Sequence, residues 1–146
     1  MTSCLKESLG GSLSVCKDAA ELESKVKNSK ASFGFVYTQN GSLTYECLET
    51  PITELAVSRL QPVLDKFIAS ENESASEKIE IDYIHGTEEV FRLGAKENAV
   101  TILLPPIAKD SFFGTINSNG PLPRKSFSMG EASEKRFYLE CRKLFD

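Results

Sequence analysis

Ser32–Glu49 reads SFGFVYTQNGSLTYECLE, two β-rich runs around Asn40-Gly41. A two-residue type I′ turn needs positive φ at both central residues, and Asn-Gly supplies it at the lowest steric cost. Phe33, Phe35 and Tyr37 alternate along the first run, and Leu43, Tyr45 and Cys47 along the second. The spacing predicts a β-hairpin, and the rest of the chain is read outward from it.

On the N-terminal side, DAAELESKVKNS predicts a helix. Asp18 caps it, Glu21 completes a capping box, and Leu22 and Val26 share one face. Residues 1–16 are rich in Ser and Gly and are expected to be loosely ordered, leaving 17–146 as a single domain.

On the C-terminal side, TELAVSRLQPVLDKFIAS predicts a helix with Leu55, Leu60, Val63, Leu64, Phe67 and Ile68 on one stripe. Pro62 lacks the amide that would bond Ser58 and should kink or divide that helix. ENESASE reads as a flexible loop. KIEIDYIHG then alternates Ile79, Ile81 and Tyr83 as a strand, and Thr87 caps a helix, TEEVFRLGAK. AVTILL is nearly all apolar, as in a central strand buried on both faces. KDSFFGTINSNG reads as a short helix, and RFYLECRKLF as a last strand with Phe137, Leu139 and Cys141 on one side. The expected fold is α+β: a mixed sheet of about five strands with three or four packed helices.

Composition narrows the function classes. The chain has 146 residues and a net charge of −4, which speaks against a general nucleic-acid binder. The charge is uneven. Residues 121–146 hold six basic and four acidic side chains, for +2, against eleven and seventeen in residues 1–120, for −6. Cys4, Cys16, Cys47 and Cys141 have no C-x-x-C spacing and His85 is the single histidine, so neither a zinc site nor a disulfide scaffold is expected. The longest apolar run, ILLPPIA, is too short to span a bilayer. These features point to a cytoplasmic protein with reduced thiols and without a metal, cofactor or membrane partner. No Walker loop, G-x-G-x-x-G, G-x-S-x-G or H-E-x-x-H motif is present.

The order of FGFVYTQNGSLTYECLE, ELAVSRLQPVL, KIEIDYIHG, AVTILLPPI and LPRKSFSMGEASEKRFYLECRKL resembles the C-terminal half of a prokaryotic family, domain of unknown function 1015. Leu122-Pro123-Arg124-Lys125-Ser126-Phe127 is similar to that family's Met-Pro-Pro-Lys-Ser-aromatic motif, with Arg124 in place of the second proline. Members are about three times this length and carry a His-His-Arg type motif in an N-terminal half that has no counterpart here. The resemblance therefore implies an accessory domain, as a truncation or a split gene, whose partner is that N-terminal domain. It also implies that the isolated chain is not catalytic, and it points to phosphorylated or amino-acid ligands.

Within PLPRKS, Pro121 and Pro123 stiffen a loop that carries a guanidinium fork, an ammonium and a hydroxyl. That set suits a phosphate or carboxylate. Lys125 and Ser126 rank first by the resemblance, then Arg124. His85, between a predicted strand and a helix start, is a fourth candidate. In the bland reading the prolines only hold an extended crossover and the cations are solvated. The competing function is a protein–protein interaction or dimerisation module, marked by exposed apolar sheet surface and self-association.

Overall fold

The computed structural model describes residues 1–84, 86–107, 114, 116, 117, 120 and 121. Among them the elements run α1 (Thr2–Leu9), β1 (Ser12–Cys16), α2 (Ala19–Lys27), β2 (Ser32–Gln39), β3 (Ser42–Glu49), α3 (Ala56–Ser74), α4 (Thr87–Gly94) and β4 (Val100–Leu103). The class is α+β, with a four-stranded sheet in the order β1-β3-β2-β4. All three pairings are antiparallel, where the strand–helix–strand order had suggested a mixed sheet.

The hairpin forms as expected. Asn40 and Gly41 take φ of 52° and 76°, and Gln39 pairs with Ser42. Opposed residues share a face, so the register divides the hairpin's apolar residues between two cores. Phe33 and Phe35 oppose Leu48 and Glu46 on one face, while Gly34 and Val36 oppose Cys47 and Tyr45 on the other. The first face packs Phe33, Phe35 and Leu48 against Leu5 and Leu9 of α1 and Ala56, Leu60 and Leu64 of α3. The second packs Val36, Cys47 and Cys16 against Leu22 and Val26 of α2, with Phe91 of α4 beside Tyr45. The sheet thus lies between α1/α3 and α2/α4, and β2 is buried over most of its length.

Helix α2 begins at its predicted cap, Asp18, with the return bond of the capping box made to the residue before the cap. Asp18 Oδ1 accepts from the Glu21 amide at 2.8 Å, and Glu21 Oε2 accepts from the Lys17 amide at 2.9 Å. Asp18→Ala should cost about 1 kcal/mol, seen as a lower urea midpoint at unchanged slope.

Several expectations are corrected. Residues 1–16 are not loose: they form α1 and β1. Leu5 and Leu9 lie one turn apart and are both buried, and β1 pairs with β3 from Ser12 to Cys16. Helix α3 is not divided at Pro62 and runs on through Glu71–Ser74, the start of the expected loop. Its buried stripe begins at Ala56 and Val57, while Phe67 and Ile68 are half-buried. Ile79–Tyr83 belong to no strand; the Asn72 side chain takes both backbone groups of Ile79 instead. Helix α4 starts at Thr87 with Gly86 as its cap, without a side-chain bond to its first turn. Strand β4 is the last in the described order rather than a central strand, and its Val100 is exposed. Most of the expected helix over residues 109–120 and the strand over 137–142 lie outside the described residues.

Candidate functional site

Arg124, Lys125, Ser126 and His85 all lie outside the described residues, so only the flanks of the predicted sites can be placed. Gly86, next to His85, is exposed and has φ of 95°. The helix it opens carries Glu88 and Glu89 in its first turn. Those carboxylates already occupy the positive end of the α4 dipole and would repel an anion held there. Glu89 is further bound by Arg92, at 3.1 Å from Nε and 2.5 Å from Nη2, which holds its carboxyl below the usual range. On the other flank, the Gly120 amide donates to the Ile116 carbonyl at 3.0 Å, and Gly120 has φ of 79°.

A shallow depression of about 450 Å³ lies at the start of α2, lined by Lys17, Asp18, Glu21, Ser24 and Lys25. Its charges are mutually satisfied. Glu21 accepts from the Lys17 amide and sits 3.3 Å from the Lys25 ammonium, and these bonds pull its carboxyl below the ordinary range. A ligand here would have to break the capping box, so this is a helix start closed by its own side chains.

Sequence reasoning passed over Glu46, since a lone Glu in an alternating strand reads as solvent-facing. Tyr37 lies on the same sheet face, and its phenol is pushed up first by burial and then by the Glu46 carboxylate near it. The Glu46 Oε2 atom is enclosed and has no hydrogen-bond partner.

The thiols of Cys16 and Cys47 are buried on one face of adjacent strands. Burial pushes Cys47 up from 9.0 to about 11, and raises Cys16 despite the Lys25 ammonium beside it. Both are core filling rather than nucleophiles. Because the folded pKa of Cys47 exceeds the unfolded one, its stabilising share is whole below pH 9 and is lost as pH rises toward 11. Iodoacetamide at pH 8 should alkylate the half-buried Cys4 in the native protein and spare Cys16 and Cys47, with all three modified in urea; peptide mass mapping reads the difference.

Among the described residues no group of three His, Cys, Asp or Glu side chains is placed to hold a metal ion. None of the described helices is long and apolar enough to cross a membrane. No protein-family model, curated protein or solved structure matches the chain.

Proposed function

We propose that this chain is an accessory domain of a larger cytosolic protein, related to the C-terminal half of the domain-of-unknown-function 1015 family. In this reading it helps bind a small anionic metabolite, phosphorylated or carboxylate, through Arg124, Lys125 and Ser126, with His85 as a further contributor. The observation that carries it is the charge partition: a segment of +2 on a body of −6, with its cations set between prolines as PLPRKS. A guanidinium and an ammonium beside a hydroxyl supply charge-assisted bonds to an oxyanion, and the prolines reduce the ordering cost. The isolated chain shows no turnover in this account.

A thermal-shift series against phosphate, sulfate, phosphoserine, serine and adenine nucleotides tests it. A ligand at a hundred times its Kd adds about 2.7 kcal/mol, a rise of roughly 5–10 °C at this size. The shift should vanish in Lys125→Ala. A shift that survives that substitution would place the anion elsewhere.

The second reading, an interaction or dimerisation module, is favoured by Val15 and Val100. They stand 72% and 46% exposed on the sheet face that α1 and α3 cover only in part. Light scattering that shows a concentration-dependent dimer, with no anion effect on melting, would select it.

A further inference from the structure

Lys78–Ile84 has the alternation of a strand yet belongs to none. Ile79 is nonetheless held as though it were paired. Its amide donates to Asn72 Oδ1 at 2.7 Å, and its carbonyl accepts from Asn72 Nδ2 at 3.0 Å. The Asn72 side chain, in the last turn of α3, thus takes both backbone groups of Ile79, as a neighbouring strand would. The Lys78 ammonium also bonds the Asn72 carbonyl. In an extended chain the amide and carbonyl of one residue point to the same side, and those of the next residue to the other. An extended run with Ile79 turned toward α3 sets the backbone groups of Glu80 and Asp82 outward.

Among the described residues no backbone–backbone hydrogen bond reaches Glu80, Ile81 or Asp82. Ile79, Ile81 and Ile84 are 40%, 41% and 39% exposed. The surrounding stretch is acidic, with Glu71, Glu73, Glu77, Glu80 and Asp82 against Lys78.

We propose that Lys78–Asp82 is an open strand edge that docks an extended segment of a partner polypeptide in which apolar residues alternate with Lys or Arg. Backbone bonds to Glu80 and Asp82 supply the attachment, as in other cases where a peptide adds a strand to a free edge. The Glu80 carboxylate selects the basic side chains of the incoming strand, together with that of Asp82, which also accepts from the Tyr83 amide at 2.7 Å. A second copy of this chain is the wrong occupant. Antiparallel self-pairing about Ile81 sets Glu80 against Asp82, and in-register parallel pairing sets each carboxylate against itself. The inference deepens the interaction reading and is independent of anion binding at Lys125.

The test uses the full chain and a fluorescein-labelled peptide alternating Val with Lys and Arg. Anisotropy reads binding, and hydrogen exchange reads the amides. The expected result is saturable binding with slowed exchange at Glu80 and Asp82. Glu80→Pro deletes the outward amide while leaving Ile79 in the β region that a residue before proline prefers. It should weaken binding about tenfold, the usual scale for one lost hydrogen bond of this kind. The charge reversal Glu80→Lys with Asp82→Lys should weaken it at least as much. Both changes lie on an exposed segment, and circular dichroism confirms that each variant is folded. No binding to the wild type, or binding that both variants leave intact, overturns the proposal. Self-association of the chain without peptide binding also overturns it, while sparing the dimer reading.

Discussion

Gly11→Ala should lower stability by about 3 kcal/mol or more, the sum of a strained backbone and a steric clash. Gly11 joins α1 to β1 with φ of +106°, a conformation that residues with a Cβ rarely adopt. An added Cβ would lie 1.9 Å from the Glu49 carbonyl oxygen and 2.9 Å from its carbon. Those are backbone atoms of β3, and Glu49 pairs with Ser12, so neither side can yield without breaking the register that seats Leu5 and Leu9. The melting temperature should fall by roughly 10 °C. Gly41→Ala is the control. Its φ is +76° but nothing lies within 4 Å of an added Cβ, so only the backbone term remains, about 1 kcal/mol. Equal losses at the two positions would mean that the N-terminal strand does not pair with β3 as described.

Phe35→Ala is the other large effect. Phe35 is fully buried in the core shared with α1 and α3, on the inner strand β2. Truncation removes the transfer energy of the ring and leaves a cavity whose wall, strand on one side and two helices on the other, cannot collapse fully. The expected cost is about 3–5 kcal/mol, against under about 1.5 kcal/mol for Phe35→Leu, which keeps most of the volume. Chemical denaturation of both variants measures the difference. A small cost for Phe35→Ala would show that α1 and α3 do not close over this face.

The two outcomes bear on what the sequence discloses. The hairpin was legible because Asn40-Gly41 takes the two positive φ angles of a type I′ turn at low steric cost, and α2 because the Asp18 and Glu21 side chains take the Glu21 and Lys17 amides locally. Helix α1 and strand β1 were not legible. Leu5, Leu9, Leu13 and Val15 are scattered through a Ser- and Gly-rich stretch, and its order comes from contacts with α3 and β3 far along the chain. Ile79–Tyr83 shows the reverse: local alternation called for a strand, and tertiary structure left it without a ladder. AVTILL looked central because composition reports apolar content and not position in the sheet, and β4 stands last in the described order. Of the candidate site, the sequence named Arg124, Lys125, Ser126 and His85 by side-chain chemistry and resemblance, all outside the described residues. The described residues add the acidic start of α4, which bears on where an anion near His85 could rest.

The central claim is that an anion binds at the basic C-terminal segment, and an amide-resolved NMR titration of the full chain with phosphoserine tests it most directly. The account predicts saturable shifts at the amides of Arg124, Lys125 and Ser126, abolished by Lys125→Ala. Shifts centred on Lys17 and Lys25 instead, or none at all, would contradict it.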